Sequence, residues 1–271
     1  MIKLVVTDLD GTFLNDHSEV SLANKETIRR LQAAGIKVCF ASGRPYDGMT
    51  SFAKMAGLEN GESYFITNTG ACVYEYPSRR LISNQTLTMS DYRELFKYVK
   101  DYDVQVVGYG DDKLYAFSHQ HNEALLKDQS ILKMDIEVLD PNIDYDLEFG
   151  RFNVMGSPEI LDEVVTKIPQ AFLNNYYSVR NISFSFEIEN KNAGKGNALV
   201  ALANYLKLDL KTEVLTCGDN MNDLEMLLVT ANSCSMGQSK DIIKRQTKYV
   251  TDTNQNDGFT KIVNKVIFNQ K

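Results

Sequence analysis

The chain has 271 residues, 43% of them hydrophobic, which suits one large domain or two with a sizeable core. Its formal net charge of −7 argues against nucleic acid or an anionic membrane surface as a main partner, because both favour a basic face. No apolar run approaches the roughly 20 residues needed to cross a bilayer, and no N-terminal signal segment is expected.

The first predicted element is the most informative. Ile2-Lys3-Leu4-Val5-Val6-Thr7 is a short apolar run that reads as a buried strand. It ends in Asp8-Leu9-Asp10-Gly11-Thr12. In extended chain, positions i and i+2 point the same way, so Asp8 and Asp10 are expected to project together. Two neighbouring carboxylates tolerate each other best around a cation or when one holds a proton. That is the chemistry of a hard-metal site, or of a nucleophile beside an acid/base. Ser21 then caps a predicted helix through Ala34, with Gly35 at its end. Ile36–Ala41 is a second buried strand, closing in Ser42-Gly43-Arg44-Pro45 before another helix that Gly57 stops. Tyr64–Thr67 and Cys72–Tyr76 read as further strands around Asn68-Thr69-Gly70-Ala71.

The texture changes from about residue 84 to 185. Short strands are predicted at Val104–Tyr109, Lys113–Phe117, Arg151–Met155, Tyr176–Val179 and Phe184–Ile188, with two or three helices between them. Ser90 is read as the cap of the first helix, and Ser157-Pro158-Glu159 as the start of another. Strands with separate helices suggest an α+β unit. The last third returns to α/β, with a helix at Gly194–Leu206 and a strand at Val214–Cys217. That strand runs into Gly218-Asp219-Asn220-Met221-Asn222-Asp223 and a further helix through Val229. The expected layout is a discontinuous parallel α/β core, 1–83 plus 186–271, with an α+β domain inserted at 84–185. The four cysteines, Cys39, Cys72, Cys217 and Cys234, are widely spaced with no CxxC, so free thiols in a reducing, cytoplasmic setting are expected.

Three apolar strands thus end in polar clusters: Asp8/Asp10, Ser42-Gly43-Arg44 and Asp219/Asn222/Asp223. In open parallel sheets the ligand crevice lies beyond the carboxyl ends of the strands. A fourth cluster, Asn192-Ala193-Gly194-Lys195-Gly196, sits at a predicted helix start, where free N–H groups favour an anion. Carboxylates suited to a cation beside donors suited to an anion point to a metal and a phosphate.

Asp8-Leu9-Asp10-Gly11-Thr12, Ala41-Ser42-Gly43-Arg44, Lys195-Gly196 and Gly218–Asp223 resemble, in order, the four motifs of the haloacid dehalogenase-like superfamily. The placement of the insert is similar to that of its Cof-type phosphatases with a type IIB cap. Phe186-Glu187-Ile188, Ser235-Met236-Gly237, Val250–Asn254 and Asp257-Gly258 extend the likeness. Three departures stand out: Thr69 where the family usually has Asn, Gln238-Ser239 where Asn-Ala is usual, and Ala193-Gly194 before the lysine in place of a branched residue and serine. The resemblance implies a Rossmann-like parallel-sheet core with an inserted α+β cap. It implies a Mg²⁺-dependent phosphatase of small phosphorylated metabolites, sugar phosphates or similar monoesters, acting through an aspartyl phosphate.

Asp8 is then the nucleophile, Asp10 the acid/base, and Asp8, the Asp10 backbone carbonyl and Asp219 the metal ligands, with Asp223 orienting metal waters or Lys195. Ser42, the Gly43 amide, Lys195 and Asn222 are implied to hold the phosphoryl oxygens, and Arg44 to contact substrate or pair with a carboxylate. The alternatives are a phosphomutase of the same superfamily and a non-catalytic phospho-ligand sensor. No second basic cluster in the insert suits a mutase, and a pure binder has no need of an acid/base carboxylate. His119 and His121 form an H-x-H pair, read as cap residues rather than a metal site. A monomer or weak homodimer is expected.

Overall fold

β-Branched and aromatic runs in the first 84 residues form five strands: β1 (Leu4–Asp8), β2 (Lys37–Ala41), β3 (Ser63–Thr67), β4 (Cys72–Tyr76) and β5 (Arg80–Asn84). Six follow in the middle of the chain: β6 (Gln105–Tyr109), β7 (Lys113–Ala116), β8 (Asp135–Val138), β9 (Arg151–Met155), β10 (Tyr176–Ile182) and β11 (Ser185–Asn190). The last three are β12 (Val214–Gly218), β13 (Asn232–Ser235) and β14 (Tyr249–Val250). These elements come from a computed structural model, which describes residues 1–269. The chain divides into two compact units. One contains Met1–Gly43, Met49–Asn84 and Gly194–Lys271, the other Arg44–Gly48 and Gln85–Ala193.

The first unit holds an eight-stranded sheet in the order β14-β13-β12-β1-β2-β3-β4-β5. Neighbours from β14 to β3 are parallel, and β4 and β5 add antiparallel at one edge. Parallel strands bury both faces, which is why β1 opens on the apolar Leu4-Val5-Val6 and has all five residues buried. Leu4 and Val6 face the helix Lys195–Leu206 through Leu199 and Leu202. Aromatic rings fill other parts of this unit, with Phe13 4.7 Å from Phe40 and 5.1 Å from Phe259, centroid to centroid. Ser21 caps Leu22–Ala33 as expected, its hydroxyl accepting from Asn24 N at 3.1 Å. β2 and β3 continue from β1 on one side, whereas β12 returns to its other side. β1 is therefore the topological switch point of the sheet, where a ligand crevice opens beyond the strand ends.

The second unit holds a six-stranded sheet in the order β10-β11-β9-β6-β7-β8, antiparallel except for β7 with β8. Helices Met89–Val99 and Pro158–Lys167 share one apolar cluster with Phe152, Val154, Phe186 and Ile188 on one face of this sheet. Leu125 of the helix Glu123–Leu132 packs with Val107, Tyr109, Leu114 and Met155 on the other.

Two readings need correction. Residues 186–193 belong with the second unit, because β11 pairs with both β9 and β10. Ser90 is not the helix cap; the helix begins at Met89 with Thr88 before it. The Asp91 carboxylate accepts from the Thr88 N and Oγ1 at 2.8 Å each, a reciprocal cap that Ser90, with Arg93 three residues on, does not have. The strands β5, β8, β13 and β14 escaped the sequence reading. β13, Asn-Ser-Cys-Ser, is polar and owes its form to parallel pairing with β12.

Candidate active site

The carboxyl ends of β1 and β12 lie side by side, with Thr7 paired with Cys217. This register puts Asp8, the last residue of β1, next to the turn that carries Asp219. Asp8 is 6% exposed and Asp223 fully buried. Oxygens of Asp8, Asp219 and Asp223 all come within 4.8 Å of one another. Among the described residues this is the one group of three or more His, Cys, Asp or Glu able to hold a metal. His119 and His121 take no part in such a group.

The turn after β1 brings the second motif residue to the site. The strand ends at Asp8, and Leu9–Phe13 folds into a single tight turn in which Asp10 is extended and Gly11 has φ 82°. The alternation expected of a strand therefore does not set the direction of Asp10. Its side chain is exposed and lies outside the three-carboxylate group. Gly11 is required twice over. Its φ suits glycine, and a Cβ there would sit 2.8 Å from Asp219 Oδ2. Thr12, given no role in the sequence reading, donates from Oγ1 to Asp219 Oδ1 at 2.9 Å and so orients that carboxylate.

Lys195 enters from the first residue of its helix and is fully buried. Its ammonium donates to Asp8 Oδ1 at 2.5 Å and to Asp223 Oδ1 at 2.6 Å. Asp223 Oδ2 accepts from the amides of Asp219 and Asn220 at 3.0 Å each. Asp223 thus ties the fourth motif to the lysine, using both oxygens. Asn222 sits beside it, exposed on the turn Met221–Asp223.

The electrostatics follow from burial and crowding. Burial, then the charge of Asp223, pushes the Asp8 carboxyl well above its ordinary range, against the pull of Lys195. Burial and Asp223 also raise Asp219, to about 6. Burial opposes the charge on Lys195, but Asp223 and Asp8 outweigh it and hold the ammonium protonated. Three carboxylates thus share one internal cation, and the group carries an excess of negative charge. All the donors are oxygens, which suits a hard divalent cation.

Ser42 and Gly43 follow β2. The Ser42 amide donates to Ile66 O at 2.9 Å, and its carbonyl accepts from Thr69 N at 3.0 Å. The turn Asn68-Thr69-Gly70 has positive φ at all three residues. It lies against the start of the lysine helix, since a Cβ on Gly70 would meet the Gly194 carbonyl at 2.3 Å. Arg44, half-buried, groups with the second unit. Two further residues tie down the loop after β1: Gln238 Nε2 donates to Gly11 O, and Asn254 Nδ2 to Leu14 O at 3.0 Å. Asn254 falls in a segment that carried the resemblance, whereas Gln238 is one of the departures from the family pattern. Only the folded chain gives them a task.

Thr69 holds φ 55°, a left-handed conformation unfavourable for a β-branched side chain and easier for Asn. Thr69→Asn should therefore stabilise the protein by about 1 kcal/mol, raising Tm by roughly 2–4 °C. Thermal unfolding followed by circular dichroism checks this. An unchanged or lower Tm would show that the Thr side chain makes up for the strain.

A model of the haloacid dehalogenase-like hydrolases matches residues 5–263. The chain belongs to the haloacid dehalogenase-like hydrolases. It is 28% identical over 268 residues to a Streptococcus pyogenes serotype M6 protein whose name provisionally makes it a phosphatase, with 99% of each chain covered. A haloacid dehalogenase-like hydrolase from Bacteroides thetaiotaomicron superposes with a TM-score of 0.88 at 22% identity, covering 98% of this chain and 100% of the other. A sugar phosphatase of subclass IIB shares the fold at a TM-score of 0.78 and 20% identity, over 97% and 98% of the two chains. The family is one of hydrolases, and a Bacillus subtilis protein 25% identical over 268 residues, with 98% of this chain and 99% of the other covered, is likewise named provisionally as a phosphatase. No helix among its described residues is long and apolar enough to cross a membrane.

Proposed function

We propose that the chain is a Mg²⁺-dependent phosphatase of small phosphorylated metabolites, sugar phosphates among them, and that it works through an aspartyl phosphate on Asp8. The observation that carries this reading is the placement of Asp8 at the end of β1, bonded to buried Lys195 and grouped with Asp219 and Asp223. Asp8 would attack phosphorus, dividing one difficult displacement into two. Asp10, exposed on the turn after β1, would protonate the leaving oxygen and then deprotonate the attacking water. Ser42, the Gly43 amide, Lys195 and Asn222 would hold the phosphoryl oxygens, and Arg44 would contact substrate. Asp8, the Asp10 carbonyl and Asp219 would hold Mg²⁺, with Asp223 behind them. The ion would supply charge neutralisation for a carboxylate meeting a phosphate dianion. The insert, residues 84–185 in the sequence reading, would act as the cap that selects the leaving group. The four cysteines are free and buried, in keeping with a cytoplasmic, reducing setting.

Product analysis on a panel of phosphate monoesters tests the reading. Free phosphate that disappears with EDTA and returns with Mg²⁺ is expected. An isomerised product would make the protein a mutase, and no product a sensor. The raised Asp219 carboxyl adds a stability test. An acid whose folded pKa lies above its unfolded value binds protons more tightly when folded. Its ionisation therefore costs stability as pH rises from about 4, and the cost is fully present above about 6. A cation at the site offsets that cost. Added Mg²⁺ should raise Tm more at pH 7.5 than at pH 5. An equal shift at both pH values would place Mg²⁺ elsewhere.

A further inference from the structure

A cavity of about 730 Å³ opens in the first unit where Ser63 starts β3, Tyr76 ends β4 and Arg80 starts β5. Because β3 runs parallel to β2 and β1, this is the end of the sheet opposite the one that carries Asp8. Tyr205 and Leu206, in the last turn of the helix that begins at Lys195, also line it. The helix rises about 1.5 Å per residue, so Tyr205 stands about 15 Å from Lys195. The strand register gives the cavity two sides. Tyr64 pairs with Glu75 and shares its face, whereas Tyr76 pairs with Ser63 and faces the other way.

The charges of the lining are unequal. Glu59, Glu62 and Glu75 face one cation, Arg80. Arg80 is already engaged: Nε donates to Glu75 Oε2 at 2.7 Å, the guanidinium donates to the Tyr205 hydroxyl, and it lies 5.3 Å from the centroid of that ring. Lys37 holds Glu62 at 2.9 Å. Glu59 is exposed and has no ion pair among the described residues. Two tyrosine hydroxyls are left over. Tyr64 is 5% exposed and Tyr76 4%, both line the cavity, and neither hydroxyl has a hydrogen-bond partner among the described residues. Burial pushes the Tyr64 hydroxyl up to about 12, with the charges of Glu62 and Glu75 adding to it, and burial with Glu59 raises that of Tyr76. Those charges lie on the cavity side of each ring. Buried hydroxyls are nearly always satisfied, so these two mark a place where donors arrive from outside.

We propose that this cavity binds a linear aliphatic polyamine, with one ammonium between Glu59 and the Tyr76 hydroxyl and another beside Glu75 and the Tyr64 hydroxyl. An ammonium brings N–H donors and positive charge together, which suits two acceptor hydroxyls beside an excess of carboxylate. The face of the Tyr205 ring attracts the same charge. Arg80 shows the preference from within the chain, as a nitrogen cation held by Glu75 and Tyr205. The carbonyls of the helix's last turn add partial negative charge nearby. A single divalent metal suits the cavity less, since its three glutamates do not come close enough together to share an ion. An anion meets the wrong charge, and a neutral polyol leaves Glu59 without a counter-charge. The two sides of the cavity favour a chain with separated charges over a compact cation. Nothing in this binding requires turnover at Asp8.

Calorimetric titration with spermidine tests the site, with triethylene glycol as a neutral chain of similar length. Spermidine is expected to bind saturably, one per chain, and the glycol not at all. Glu59→Gln keeps shape while removing a charge from an exposed position. Tyr76→Phe removes the hydroxyl and keeps the ring that stacks 4.5 Å from Phe65, so both variants should fold. Each should weaken spermidine at least about fivefold. Asp219→Ala, altered at the carboxyl end of the sheet, should bind spermidine as the wild-type protein does. Unchanged affinity in both cavity variants would overturn the site. Loss of binding in Asp219→Ala would overturn it too, by moving the amine to the carboxylates around Asp8. Equal binding of the glycol, or no saturable binding of spermidine to the wild-type protein, would overturn it as well.

Discussion

Asp8→Asn is expected to lower turnover by at least about 10⁴-fold, equivalent to about 5 kcal/mol of transition-state stabilisation. The amide has the shape of the carboxylate and none of its nucleophilic charge. The fold should survive, and the variant should gain stability in the absence of metal. The sign follows from the site. Burial and Asp223 raise the folded Asp8 carboxyl above its unfolded range, so its ionised form costs folding free energy at neutral pH. A neutral side chain removes that cost while Lys195 keeps its bond to Asp223 at 2.6 Å. Phosphate release from a sugar phosphate, acid-quench trapping of the phosphoenzyme and chemical denaturation together check the prediction. Near-normal turnover would reject Asp8 as nucleophile. A large loss of stability would instead make the Asp8–Lys195 pair structural. Sites that gain stability when disarmed are common where function requires crowded charges.

Lys195→Met is expected to do the opposite to stability. It removes the one internal cation bonded to both Asp8 and Asp223 and leaves two buried carboxylates facing each other. Removing one partner from a buried ion pair costs about 3–5 kcal/mol, because the remaining charge is uncompensated. Turnover should fall by about 10³-fold or more, since the same ammonium is assigned to the phosphoryl oxygens. The stability loss should shrink as pH falls from 7 to 5, as protons take over the role of the ammonium at Asp8 and Asp219. Urea denaturation at the two pH values measures this. A loss independent of pH would mean that Lys195 acts through packing of its stem.

The contrast between these two variants separates what was legible in the sequence from what was not. The strand-end motifs were legible because each couples a short apolar run to polar residues at a fixed offset. Local physics dictates that pattern: a buried parallel strand, then a turn that glycine permits. Asp8, Ser42 and Asp219 were singled out in this way and Lys195 from a predicted helix start, while the helices that begin at Leu22 and Pro158 were read from their cap residues. Short strands such as β8 and β13 were not, because four residues are too few for a pattern to stand out and their pairing with β7 and β12 is what makes them strands.

The tertiary structure alone decided how the site's charges are shared. It committed both oxygens of Asp223 to Lys195 and to the turn amides. It set Thr12 on Asp219 and Gln238 on the Gly11 carbonyl, across 207 and 227 residues of sequence. It also assigned β11 to the second unit, bringing Glu187 opposite Asn153. The sequence by itself determined the chemistry available at each strand end, since side-chain type and local spacing are covalent facts. Which of those groups share a proton, a cation or a neighbour depends on distances between strands remote in the chain, and only folding sets them.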